Sequence, residues 1–243
     1  MNVNNSYTLS VIFCAVDETD ALKDAFESID KSAYISEFIF VLSKSASKKC
    51  VETAAKLCRD KRCRLIFQSG KGLGNAIKNA IDAARTSHMI VWPSDGGMDV
   101  SAIKTMVSLS QKDPESIVTV SRWLKGGGFE GYGHIRKIIN CISQKMFAIL
   151  YGCKLTDFTN PTQIAPTELY KKIKWQSDGF DFIPEMTFKP LRLGCRFIEV
   201  PCKNLKRSEG KKHNSIKDLV KYYLIAPKIR FMKIDDILKG KDI

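Results

Sequence analysis

Two short stretches place chemically useful residues at close spacing: GKGLGNA (70–76) and PSDGGMD (93–99). In the first, glycines let the backbone approach a ligand, and the helix opening after Gly74 presents unpaired N–H groups to an anion. Lys71 adds a positive charge. In the second, Asp95 stands among glycines at the end of an apolar run. An anion cradle beside a carboxylate on such a strand end suits a metal-bound diphosphate. Each stretch also has an ordinary reading. A glycine turn commonly just joins a strand to a helix, and an aspartate in a turn usually binds nearby backbone N–H groups. Asp99 fits a helix N-cap before residues 100–109. GKGLGN does not match GxGxxG and follows the third apolar run rather than the first. GxxxxGK[ST] does not occur either, which sets aside both familiar nucleotide motifs.

The elements that must position these loops follow from periodicity. Short apolar runs at 8–15, 37–43, 63–68, 88–92, 116–122 and 195–202 read as strands. Between them, Leu22, Ala25, Phe26 and Ile29 recur at helical spacing, as do Ile77, Ala80, Ile81 and Ala84, and residues 48–59 make a further helix. Strand and helix alternate through 8–110, which predicts βαβ units and a mostly parallel sheet. Ligands of such sheets bind beyond the carboxyl ends of the strands, where both loops fall. The segment KGGGFEGYG (125–133) is too glycine-rich for a packed element and is expected to be a mobile loop. After it, Ile135, Ile138, Ile139, Ile142, Met146, Phe147 and Leu150 lie mostly on one face of a helix. The chain divides into a domain of residues 1–215 and a basic, amphipathic segment of 216–243.

The 243 residues suffice for one α/β domain with a substantial core. The amino-terminal residues lack the basic start and apolar stretch of a signal peptide, and no run is long enough to span a bilayer. Eight cysteines at irregular spacing, with no CxxC pair, read as reduced cytosolic thiols rather than a zinc site. The formal charge of +13 calls for an anionic partner. The basic residues are not interleaved with aromatics in a nucleic-acid-binding pattern, so no nucleic-acid partner is expected; nucleotides and lipid phosphates remain.

Taken in order, SVIFCAVDE, GKGLGNA, WPSDGGMD, SRWLKGGG with HIRKIIN, and DFTNPTQ followed by GFDFIPEM, EVPC and KRSEG resemble a family 2 glycosyltransferase of the GT-A fold. The dolichol-phosphate mannosyltransferase-like branch is the most similar, over about residues 8–215. The resemblance implies an inverting transfer from a nucleotide-sugar donor with Mg²⁺ or Mn²⁺. Asp95 takes the place of the metal-binding aspartate of a DxD motif, and Glu18 that of a glutamate holding the nucleoside. Ala15, Val16, Ser43, Lys71, Gly72 and Ser94 fall on the donor side. Arg122 matches an arginine of an SRY-type motif, Arg136 one associated with the acceptor phosphate, and Arg207 one that closes over the donor diphosphate, with Lys211 or Lys212 beside it. Arg122, Arg136 and Lys211 form the expected acceptor side, and Asp95, Arg122 and Arg207 the catalytic set. The sequence departs from the pattern at Pro93, where the first DxD aspartate would stand, and at Ser43, Pro161 and Gln163.

The expected activity is transfer of a sugar to a polyprenyl phosphate by a peripheral protein at the cytoplasmic face of an anionic membrane. A phosphate acceptor is already ionised, whereas a sugar hydroxyl needs a carboxylate base such as Asp157 or Glu185. The alternatives are a soluble glycan or lipid-linked sugar acceptor, a sugar nucleotidyltransferase, and a non-catalytic nucleotide-sugar-binding module. In the last stretch Lys217, Lys221, Lys228, Arg230 and Lys233 alternate with Leu219, Val220, Tyr223, Leu224, Ile229 and Phe231. That pattern suits either an interfacial helix or a helix packed on the domain's own core.

Overall fold

The computed structural model describes residues 7–29, 34–209 and 216–240, the side chains of 216–220 excepted. Lys211, Lys212, His213 and the side chains of Lys217, Leu219 and Val220 lie outside the described residues. The first half alternates as its periodicity requires: β1 (Leu9–Ala15), α1 (Asp20–Ser28), β2 (Ile35–Leu42), α2 (Lys48–Leu57), β3 (Cys63–Phe67), α3 (Leu73–Ala83), β4 (His88–Trp92) and α4 (Ala102–Lys112). β1 pairs in parallel with β2 and β4, and β2 with β3. These strands read as unbroken apolar runs because helices cover both faces of the sheet. On one face Leu22 and Phe26 of α1, Ala54 of α2 and Met106 of α4 pack on Phe13, Phe38 and Phe40; on the other, Ile77 and Ile81 of α3 pack on Ile12, Ile39 and Val41.

The second half adds β5 (Ile117–Ser121), β6 (Gly128–Phe129), α5 (His134–Tyr151), β7 (Gln163–Pro166), α6 (Thr167–Lys172), α7 (Phe182–Arg192), β8 (Phe197–Pro201), β9 (Lys203–Asn204) and α8 (Ile216–Arg230). The sheet runs β3-β2-β1-β4-β7-β5-β8. β7 is antiparallel to both β4 and β5, while β5 and β8 are parallel.

One expectation changes, and two points that the sequence left open are visible in the structure. The glycine-rich segment 125–133 contains a packed element: β6 pairs in parallel with β9, and Phe129 packs edge-on against Trp123. Gly127 makes the turn possible, since a Cβ there would lie 2.7 Å from the Ser121 carbonyl oxygen. Apart from Phe147 and Leu150, the apolar stripe of α5 faces away from the core. Its buried side chains are Asn140, Ser143, Gln144 and Phe147, while Ile135, Ile138, Ile142, Met146 and Ile149 are exposed. The buried loop around Asp157 is the physical reason, because its polar groups need partners. Gln144 accepts from the Phe158 N–H at 2.7 Å and donates to the Thr159 hydroxyl at 2.9 Å. The C-terminal helix, finally, is part of the fold. Ile225, Ala226 and Ile229 of α8 are buried against Phe147, Phe158 and Phe188, and the Ile237 carbonyl accepts from the Lys174 N–H. Leu224 and Phe231 remain exposed.

Ile229 and Leu224 therefore separate the two roles of α8. Ile229→Ala should cost about 2–5 kcal/mol, and Leu224→Ala no more than about 0.5 kcal/mol, both read from urea unfolding. Equal costs would mean that α8 does not pack through its Ile229 face.

Candidate functional site

The carboxyl ends of β1, β2 and β4 meet at one rim of the sheet, and short hydrogen bonds lock them together. The Ser43 N–H donates to the Ala15 carbonyl at 3.2 Å, and the Ser47 N–H to that of Val16 at 2.9 Å. The Ser94 hydroxyl donates to the Cys14 carbonyl at 2.7 Å. Glu18 folds back on its own loop, accepting from the N–H groups of Val16 (2.8 Å) and Asp17 (3.1 Å). The structure thus brings Ala15, Val16, Glu18, Ser43, Ser94 and Asp95 to one rim.

Asp95 is the centre of this rim. Its Oδ1 accepts from the Gly97 N–H at 2.9 Å, and its Oδ2 pairs with the Arg207 Nε at 2.8 Å. The Ser208 N–H donates to the Asp95 carbonyl at 3.1 Å. Gly96 has φ +71°, and a Cβ on it would lie 2.8 Å from the Ser208 hydroxyl, so the glycine is needed for this approach. The segment Lys203 to Glu209 thus forms a strap over the rim. Its last residue anchors it: Glu209 Oε2 accepts from the Thr19 N–H at 2.6 Å and Oε1 from the Thr19 hydroxyl at 3.2 Å. The N–H groups of Asp20 and Ala21 also reach this carboxylate, both at 3.3 Å. A carboxylate capping a helix N-terminus is favoured by the free N–H groups and the helix dipole. Glu209 stands in the KRSEG stretch but received no role from the sequence, because its partners lie 188–190 residues away. Burial opposes its charge, but the backbone donors win and hold its pKa below the ordinary value.

The glycine turn has a different explanation from the one its composition suggests. Gly72, at φ +95°, and Gly74 lie under residues 177–179: a Cβ on Gly72 would sit 2.2 Å from the Asp178 carbonyl oxygen, and one on Gly74 2.7 Å from that of Ser177. The Asn75 N–H, one of the free donors opening α3, is spent on the Asp178 carbonyl at 3.2 Å. Backbone packing accounts for these glycines, while Lys71 stays exposed beside them.

Arg122 follows β5 and is largely buried. It forms a bidentate pair with Asp157, Nε to Oδ2 and Nη2 to Oδ1, both at 2.7 Å. Its guanidinium lies 5.1 Å from the centre of the Phe129 ring. Burial works against the charge, yet Asp157 outweighs it and raises the arginine's pKa above its ordinary value. Asp157 is consequently a structural carboxylate. Glu185 is one too: fully buried, it accepts from the Gln176 and Ser177 N–H groups at 2.9 Å each and pairs with Lys189. Asp99 accepts from the Ser101 N–H at 3.0 Å, ordering the turn before α4. Arg136 lies on the exposed first turn of α5 and makes no ion pair among the described residues.

Among the described residues no three His, Cys, Asp or Glu side chains gather as a metal cluster. A Mg²⁺ or Mn²⁺ ion bound through one carboxylate and phosphate oxygens needs no such cluster. Asp95 fits that role once Arg207 releases its Oδ2.

Residues 10–174 match the glycosyl transferase family 2 domain, well over half of the chain. The chain belongs to that family. Among curated family 2 relatives, glycosyltransferase AglJ of Haloferax volcanii is 22% identical over 161 residues, which is 65% of this chain and 52% of that protein. Undecaprenyl-phosphate mannosyltransferase of Micrococcus luteus is 31% identical over 97 residues, 39% of this chain and 40% of that one. The chain thus spans about half or less of these relatives. Glucosyl-3-phosphoglycerate synthase of Mycobacterium tuberculosis, solved with Mn²⁺, UDP and phosphoglyceric acid, superposes with a TM-score of 0.67 at 15% identity. The match covers 92% of this chain and 77% of that one, and shows that the two share their family 2 fold.

Because the Glu209 carboxylate is held below its ordinary pKa, its contribution is present at neutral pH. That contribution is lost as pH falls through the depressed value. Thermal unfolding of Glu209→Gln should therefore lie below wild type at pH 7, with the difference closing as pH falls below about 4.5. A difference independent of pH would mean that the carboxylate charge does not hold the strap.

Proposed function

We propose that this chain transfers a sugar, with inversion, from a nucleotide-sugar donor to a polyprenyl phosphate at the inner face of a membrane. The observation that carries this reading is the Asp95–Arg207 pair at the carboxyl ends of parallel strands. Here the donor diphosphate takes over Arg207 from Asp95, gaining a charge-assisted hydrogen bond where the leaving group accumulates negative charge. Asp95, so freed, would hold the divalent ion, whose positive charge would stabilise the diphosphate leaving group. Ala15, Val16, Glu18 and Ser43 border the nucleoside, Ser94 fixes the Asp95 loop to β1, and Lys71 with Gly72 flanks the rim.

The engagement of two candidate carboxylate bases supports a phosphate acceptor. A hydroxyl nucleophile needs a base, but Asp157 is committed to Arg122, and Glu185 to Lys189 and two backbone N–H groups. A lipid phosphate needs only cations to place it. Arg136 and Lys211 are the cations assigned to it, with Arg122 positioning the segment that follows β5. The mannosyltransferase relative, named for undecaprenyl phosphate, supports this choice. A soluble phosphorylated acceptor is the second reading, since the mycobacterial synthase was solved with phosphoglyceric acid and the same cations would suit it.

Turnover of nucleotide sugars with detergent-dispersed polyprenyl phosphate tests the proposal. Wild type should transfer, EDTA should stop it, and Asp95→Ala should be inactive while folded. Arg207→Ala should weaken a nucleoside diphosphate about tenfold or more in calorimetry and leave the bare nucleoside unchanged. Undiminished turnover by Asp95→Ala would remove the metal role. Transfer to phosphoglycerate but not to the lipid would select the second reading.

A further inference from the structure

Helix α5 is built inside out. Its inward face carries Asn140, Ser143 and Gln144, whereas Ile135, Ile138, Ile139, Ile142, Met146 and Ile149 recur at i, i+3, i+4 and i+7 on the outward face. Ile149 is 82% exposed and Ile135 75%, so this is no partial burial. The stripe continues into an apolar groove of about 750 Å³ against α8, closed by Tyr223, Leu224 and Pro227. A contiguous exposed apolar surface of this kind marks an interaction site. No helix among the described residues is long and apolar enough to cross a membrane.

We propose that the outward face of α5 is the surface through which this protein docks on an anionic bilayer, with Leu224 of α8 extending it. Charge selects this occupant. α5 contains no acidic residue, and exposed Arg136 and Lys145 border its stripe, while Lys221 and Lys228 are exposed on α8 beside Leu224. Apolar side chains in the acyl boundary with cations at the headgroups is the arrangement of an interfacial helix. A second copy would bring the same cations face to face across the contact, in a chain already carrying +13.

The face also lies where a lipid acceptor would need it. Asn140, the first buried residue after Ile139, accepts from the Trp123 indole N–H at 3.2 Å, and Trp123 adjoins Arg122. The membrane contact thus moves from the C-terminal segment, whose Ile225 and Ile229 are buried in the domain, to α5. This surface supplies the access route for the lipid acceptor and in that sense rests on the preceding reading. Its existence is nevertheless measured without any acceptor.

The test is flotation of the full chain with vesicles of phosphatidylglycerol in phosphatidylcholine, against phosphatidylcholine alone. Ile138 and Ile142 are exposed, so Ile138→Glu with Ile142→Glu should leave the melting temperature and the affinity for a nucleoside diphosphate unchanged. Wild type should float with the anionic vesicles at low salt and be released at high salt. The double variant should bind about tenfold more weakly or worse. Equal flotation of variant and wild type would overturn the proposal. So would a wild type that ignores vesicles, or one that dimerises instead and becomes monomeric on substitution. Flotation as expected, with no turnover of polyprenyl phosphate, would uphold the surface and remove the acceptor; turnover without flotation would do the reverse.

Discussion

Lys203 and Asn204 are held along both edges of their backbone, and the site is arranged around that constraint. On one side the Glu130 N–H donates to the Asn204 carbonyl at 2.8 Å; on the other, the Asp99 N–H reaches the Lys203 carbonyl at 3.2 Å and the Leu205 N–H that of Gly97 at 3.0 Å. Two residues thereby tie the loop after β4 to the glycine segment after β5. With that register set, Arg207 falls on Asp95 and Glu209 on the start of α1. The same strand places Phe129 under the Arg122 guanidinium. The Asp95 rim and the Arg122–Asp157 pair are one construction rather than two adjoining ones.

The charges in this construction are mutually satisfied before any ligand arrives. Arg122 has Asp157, Arg207 has Asp95, and Glu209 has the amides opening α1. They differ in permanence. The Arg122–Asp157 pair is nearly sealed from water, so losing one partner would strand a buried charge. In the Arg207 pair the arginine side chain is 51% exposed, and water offsets most of what the pair gains. The buried pair maintains shape and the exposed one can exchange partners. This contrast is why residues of the same type, matched by the same resemblance, are assigned different roles.

Much of the fold was legible because apolar runs and helical spacing report burial directly, and β1 to β4 with their helices fall where the periodicity puts them. β7 was not. Its four residues QIAP follow Pro161, end in Pro166 and show no alternation, and only tertiary pairing with β4 and β5 makes them a strand. α5 shows a deeper limit. Periodicity located its apolar face but carries no information on which way the face turns, and the buried loop at Asp157 claimed the polar side. The glycine turn was visible for the right reason, close backbone approach, yet what approaches is residues 177–179 rather than a phosphate. Asp95 and Arg207 were singled out through an ordered set of motifs, but their pairing was not; Glu209 stands in one of those motifs, KRSEG, yet nothing local announces its distant partners.

The strand order also bears on how the chain acquires its shape. β3, β2, β1 and β4 are drawn from residues 9–92, so a nascent chain can assemble that half from nearby segments. β5 has to wait for β7, which joins it to β4, and for β8, which ends at Pro201. Until then Val118 and Val120 line an unpaired edge, the kind of surface that recruits other strands. The ribosome must therefore deliver about four-fifths of the chain before the sheet is closed. Synthesis that stalls in this interval leaves a half-formed sheet for chaperones to shield, and a chain ending before residue 197 would be prone to aggregate.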